Sequence, residues 1–133
     1  MHKLFFIITF FISITLYSQS NISIQYNYTD YIAKEEYHVP DKFNVNIDLQ
    51  NNFIEIWKKD SKKYVFKIED ISGPLYQKFG DKDDLLKYYQ FETTLEGKNI
   101  SLRYFPKKQI GLILFLNGEI YMRHYNNKNN ANN

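Results

Sequence analysis

Apolar residues recur at every second position along most of this chain, in short runs separated by turn-forming residues. That alternation restricts the fold more than any other feature. A period of two places alternate side chains on opposite faces of a strand. Residues 21–28 put Ile22, Ile24, Tyr26 and Tyr28 on one face. Residues 43–49 set Phe43, Val45, Ile47 and Leu49 against Asn44, Asn46 and Asp48. A two-residue turn at Asn51-Asn52 would pair Leu49 with Ile54 and Ile47 with Ile56, because asparagine tolerates the positive φ of such turns. Phe53, Glu55 and Trp57 then face the other way. The next run, 63–71, groups Tyr64, Phe66 and Ile68. An even connecting loop aligns these with Trp57 and an odd one aligns them with Ile54 and Ile56; the sequence leaves both open.

Two later hairpins are more sharply written. A turn at Glu96-Gly97 pairs Thr93 with Ile100, Phe91 with Leu102 and Tyr89 with Tyr104 on one face. The opposite face carries Gln90, Glu92, Ser101 and Arg103, with Gln90 across from Arg103. Asn117-Gly118 between two apolar runs is a strong short hairpin signal. It is expected to pair Phe115 with Ile120 and Ile113 with Met122, in strands apolar on both sides and therefore central. Residues 31–38 fit a strand or a short helix. Pro74 and Gly80 bracket 75–79 as a single helical turn.

These units predict a mainly all-β fold: a seven- to eight-stranded antiparallel meander with at most one or two short helical turns. It would form a small barrel or a two-sheet sandwich. The barrel form resembles lipocalin-like barrels in architecture, and that resemblance implies an interior either filled by side chains or holding one small ligand.

The N-terminus bears on location. Met1-His2-Lys3 is basic, residues 4–16 are almost continuously apolar, and Tyr17-Ser18-Gln19-Ser20 follows. This order is that of a secretory signal peptide, with cleavage expected before Asn21. Thirteen apolar-rich residues fall short of the roughly 20 needed to span a bilayer, so no stable membrane span is expected after cleavage. The expected product is periplasmic or secreted, with one domain over 21–125 and a disordered Asn-rich tail at 126–133. It would fold without disulfides, since the chain has no cysteine. With 17 basic and 15 acidic residues overall, the charge balance does not favour nucleic acid as a partner.

Reactive chemistry finds little support. Thiol catalysis is excluded, and no G-x-S-x-G elbow presents a serine. His38 precedes Val39-Pro40 and reads as a turn residue. His124 is expected at the rim of the last strand, on the face of Met122 and Ile120 and bonded to backbone or water. The two histidines are too far apart in sequence to form a local metal pair, and the Asp81, Asp83, Asp84 run has Leu86 where a calcium loop needs glycine. No metal and no cofactor is expected. Lys58, Lys59, Lys62, Lys63 and Lys67 cluster with Trp57, Tyr64 and Phe66, a combination suited to single-stranded nucleic acid, but also to a solvated hairpin tip.

Two non-enzymatic readings follow. In the first, the protein is an exported interaction module whose outward Phe53 and Trp57 meet a protein partner. In the second, a small barrel binds an apolar or amphiphilic molecule on an inner face of Tyr89, Phe91, Leu102, Tyr104, Phe115 and Met122, with His124 nearby. An extracellular hydrolase ranks below both, since it requires His124 and an acid, or two acids, at one concave site.

Overall fold

A computed structural model describes residues 21–32, 36–78 and 85–127, leaving aside the side chains of 36–38. The expected signal peptide, the Asp81–Asp84 run, Gly80 and residues 128–133 lie outside the described residues. Ten strands follow in chain order: β1 (Asn21–Tyr26), β2 (Tyr28–Tyr31), β3 (Glu36–Val39), β4 (Phe43–Asp48), β5 (Phe53–Trp57), β6 (Tyr64–Lys78), β7 (Leu85–Leu95), β8 (Lys98–Tyr104), β9 (Leu112–Leu116) and β10 (Glu119–Tyr125). All pairings are antiparallel, in one sheet of order β1-β4-β5-β6-β7-β8-β9-β10-β2-β3. The expected all-β meander is present, with β4 to β10 running side by side in sequence order. No helix forms among the described residues.

The count exceeds seven or eight because the first extended run serves two flanks. β1 pairs with β4 and β2 pairs with β10, and only Asn27 separates them. The hydrogen-bonded sheet is therefore open, with β1 and β3 at its edges, while the chain itself ties the two flanks together at Asn27. The Asn27 backbone N–H donates to Asn126 Oδ1 at 2.9 Å, and the Asn126 N–H donates to the Lys108 carbonyl at 2.9 Å. Asn126, assigned to the polar tail by composition, is thus built into the body.

The inner face forms one core. Tyr26, Val45, Ile47, Ile54, Ile56, Phe66, Phe91, Leu102, Leu112 and Leu114 are buried together. Each fully buried aliphatic or aromatic side chain contributes roughly 1.5–3 kcal/mol, which offsets the lack of disulfides. The β7–β8 ladder has the expected register throughout, including Tyr89 opposite Tyr104 and Gln90 opposite Arg103. Glu96 and Gly97 both have positive φ, 52° and 79°, as a tight two-residue turn requires.

Three expectations need correction. Between β4 and β5 the connection spans four residues, Leu49 to Asn52, so Ile47 faces Ile54 and Val45 faces Ile56. Asp48 makes this longer turn favourable by accepting hydrogen bonds from Asn51 N and Nδ2, both at 2.9 Å. The shift is two residues, so the faces are kept and only the partners change. Between β9 and β10, Tyr121 is bulged: Ile120 faces Phe115 as expected, but Met122 faces Leu114 and His124 faces Leu112. The segment 75–78 is strand, not a helical turn. The β6–β7 ladder skips Gly73 and Pro74 and resumes with Leu75 opposite Tyr88, which leaves the proline, with no N–H to donate, outside the pairing.

The open register is also settled: Ile54 faces Phe66 and Ile56 faces Tyr64, so the β6 run aligns with Ile54 and Ile56 rather than with Trp57. Tyr64 and Phe66 therefore join the inner face, and Trp57 remains outside.

Candidate functional site

The meander's tight turns at 58–63, 96–97 and 117–118 all lie at one end of the sheet, since each links an upward strand to a downward one. Below them the inner face encloses a cavity of about 480 Å³. Its walls are mainly apolar, with Phe43, Ile56, Phe66, Ile100, Leu114 and Met122 among them. Tyr31, Tyr64 and Tyr121 add aromatic faces, while Lys58, Lys62, Lys98 and Glu96 supply the lining's charges. Three ammonium groups against one carboxylate give this end a cationic character.

The lysines are held unequally. Lys58 Nζ lies 3.1 Å from Asp41 Oδ2, in a partly buried pair. Tyr31 Oη donates to the same oxygen at 2.5 Å. That hydrogen bond, together with the Lys58 ammonium, holds the Asp41 carboxyl below the usual carboxylate range. Lys62 and Glu96 approach at 3.1 Å, but both are largely exposed, so their pairing is weak. Lys98 has no ion pair among the described residues.

His124 lies at the inner end. In the β9–β10 ladder it is two steps further from the Asn117-Gly118 turn than Met122. The bulge at Tyr121 puts it on the inner face, fully buried rather than at a rim. Its ring packs against Phe43 with centroids 4.3 Å apart. Nδ1 is 3.0 Å from Thr29 Oγ1, and Thr29 Oγ1 is 3.4 Å from the Asp41 carbonyl oxygen, to which it donates. Nε2 is buried with no hydrogen-bond partner among the described residues. Burial pushes the imidazole pKa down to about 3, against a smaller opposing pull from Asp41, so the ring is neutral at ordinary pH.

Thr29, the hydroxyl beside the imidazole, is itself fully buried. A base with so depressed a pKa is a poor proton acceptor at neutral pH. No group of three or more metal-ligating side chains occurs among the described residues, and no described helix is long and apolar enough to cross a membrane.

Of the residues singled out in the sequence, Lys58, Lys62, Tyr64, Phe66, Met122 and His124 line the cavity, whereas Phe53, Trp57, Tyr89, Tyr104 and Phe115 do not. Tyr89 and Tyr104 face each other on the inner side, packed against the core but not lining the cavity. Burial raises the Tyr104 pKa, and also raises that of Tyr26, whose buried hydroxyl has no partner among the described residues. Phe115, expected inside, faces outward beneath the Arg103 guanidinium, 4.7 Å from its ring centroid. Phe53 and Trp57 are half-buried on the outer face of β5, with Lys63 Nζ 4.4 Å from the Trp57 ring centroid and 3.1 Å from Glu55 Oε2. The basic and aromatic cluster around Trp57 does not form one surface, since Tyr64 and Phe66 point inward. Sequence reasoning missed Phe43, Thr29, Asp41 and Lys98. Only the inward register of β4 offered a signal, and for Phe43 alone.

Comparison with protein-family models, with curated proteins and with solved structures finds no match. Fold and site alone define the class: an antiparallel meander wrapped around one core, with an apolar cavity under a cationic rim.

Proposed function

We propose that this is an exported, non-enzymatic binding protein for a small amphiphilic molecule. The observation that carries the reading is the cavity of about 480 Å³, mainly apolar in its walls and ringed by Lys58, Lys62 and Lys98. Small-molecule sites typically enclose about 300–1,000 Å³ and combine apolar walls with a few polar groups, and this cavity matches that description. The basic, apolar and small-polar order of residues 1–20 supports export. Purification under native conditions, followed by solvent extraction and mass spectrometry, tests the reading. A stoichiometric amphiphile that disappears on filling the cavity with Leu114→Trp is the expected result. Extracts indistinguishable from those of the Leu114→Trp variant would defeat it.

A second reading, an interaction module meeting a protein partner through the outer face of β5, has one observation in its favour. Val65 is 50% exposed opposite Glu55, so an exposed valine stands near the half-buried Phe53 and Trp57 on the outer face, with the Lys63–Glu55 ion pair among them. Crosslinking through position 57 in the native cell tests it, and a defined partner trapped only at that position is the expected outcome.

A further inference from the structure

We infer that the cavity has a door in its side wall, at a gap between β2 and the β4–β5 pair, and that a clasp centred on the Asp41 carboxylate holds it shut. This rests on the cavity being a ligand site and goes on to say how a molecule enters it and what governs the rate.

The gap follows from the strand pairing. The N-terminal run is paired with β4 as far as Tyr26 opposite Phe43, then crosses to β10 from Tyr28 onward. Beyond that crossing, β2 pairs with β10 and β3, while β4 pairs with β1 and β5. No ladder joins β2 or β3 to β4 or β5 among the described residues. Yet Tyr31 on one side of this gap, and Phe43 and Lys58 on the other, all line the cavity. Backbone ladders close the rest of the wall, from β4 through β10 to β2.

Side chains bridge the gap instead. Tyr31 Oη donates to Asp41 Oδ2 at 2.5 Å, and the Lys58 ammonium donates to the same oxygen at 3.1 Å. Asp41 stands in the turn between β3 and β4, where its N–H donates to the Val39 carbonyl at 2.8 Å. One carboxylate thus ties β2 to the end of β5, and Lys58 Nζ also lies 5.4 Å from the Phe43 ring centroid. Asp41 does not itself line the cavity, so it acts on the wall and not on an occupant. The Lys58 and Asp41 side chains are 39% and 29% exposed. An ion pair so open to water is weak and breaks readily. Ladders between core strands open only at a free energy close to that of unfolding, whereas a few side-chain contacts open locally. The wall therefore yields at the clasp before it yields along a ladder.

Stopped-flow fluorescence on the full chain as processed and purified from its host, after removal of co-purified small molecules, tests this. The probe is N-phenyl-1-naphthylamine, which is apolar and uncharged, so that electrostatic steering does not enter its rates. A contact made in the free and the bound protein alike changes the rates of exchange and not the affinity. Asp41→Asn is therefore expected to raise association and dissociation by about two- to fivefold each, with their ratio within about twofold of wild type. Lys58→Met should raise both rates as well, although it removes a charge of the opposite sign. Lys63→Met, which breaks the Lys63–Glu55 pair on the outer face, should change neither. Should Asp41→Asn fail to fold, Tyr31→Phe replaces it, since it drops a hydrogen bond to the same carboxylate and keeps the ring; both rates should rise again. Rates that ignore the clasp variants would place entry at the turn end and overturn the inference, while leaving the cavity reading intact. So would faster dissociation with association unchanged, the behaviour of a clasp that only retains what is bound. A wild-type protein that takes up no probe would overturn both.

Discussion

Thr29 Oγ1 stands 3.0 Å from His124 Nδ1, and both side chains are fully buried. This contact joins β2 to β10, the pairing through which the N-terminal run reaches the far flank of the meander. It also makes stability depend on pH. Burial holds the His124 pKa at about 3, against 6.5 in the unfolded chain. Below pH 6.5 the unfolded chain binds a proton that the folded protein does not, so stability is full above that value and falls as pH drops towards 3. The slope from this group approaches about 1.4 kcal/mol per pH unit at most. His124→Leu is expected to flatten the profile between pH 6 and 4.5, measured by urea midpoints. Below its ordinary 3.8, Asp41 adds a loss of the same sign, because its own pKa is lowered. Parallel profiles for wild type and variant would contradict the assignment.

Gly111 should be the least replaceable glycine among those described. Its φ is +82°, and a Cβ built on it would meet the His124 carbonyl oxygen at 1.9 Å. No side-chain adjustment relieves a contact with backbone, so Gly111→Ala must move the chain beside β10. A loss of about 3 kcal/mol or more is expected. Gly118, at φ +80°, has nothing within 4 Å of the same position. Gly118→Ala should cost only the local strain of about 1–2 kcal/mol. Chemical denaturation of the two variants side by side checks the contrast.

The two sides of β5 should respond differently to truncation. Ile54 is fully buried in the core, and Ile54→Ala is expected to cost about 2–5 kcal/mol through the cavity it leaves. Trp57 is larger but half-buried, under the Lys63 ammonium. Trp57→Ala should cost about 1–2 kcal/mol, from partial area and a solvent-exposed cation–π contact. A larger loss for Trp57 than for Ile54 would mean that another segment covers the outer face.

How much of this was legible in the sequence depended on whether the determinant was local. The β7–β8 hairpin was readable pair by pair, because Glu96-Gly97 fixes a two-residue turn and the turn fixes the register. Between β4 and β5 the faces were readable and the partners were not, since Asp48 captures Asn51 and lengthens the turn without altering the alternation. The bulge at Tyr121 has no distinguishing residue in the sequence, and it parts the face of Met122 and His124 from that of Ile120. The cavity was less legible still. Phe43, Phe66, Ile100 and Met122 meet only after β4, β6, β8 and β10 have been brought around one core. Lys58 and Lys62 were visible as a basic cluster, but the apolar space beneath them was not.

Asn126 shows where composition misled and why its replacement should matter. In sequence it opens an asparagine-rich stretch that cannot bury enough apolar surface to order itself. In the fold it is 9% exposed, accepts from the Asn27 N–H and donates its own N–H to the Lys108 carbonyl. The Asn27 amide lies at the one residue between β1 and β2, where the chain changes partner strand and no ladder supplies an acceptor. Asn126→Leu removes that acceptor and leaves a part-buried N–H unsatisfied, at an expected cost of about 1–3 kcal/mol. Asn126→Asp keeps an acceptor oxygen in place and should lose less. Amide hydrogen exchange at Asn27 is the direct readout: protection should fall in the leucine variant and largely persist in the aspartate variant. Equal protection in both would mean that the junction is held by the flanking ladders alone, with Asn126 contributing nothing to it.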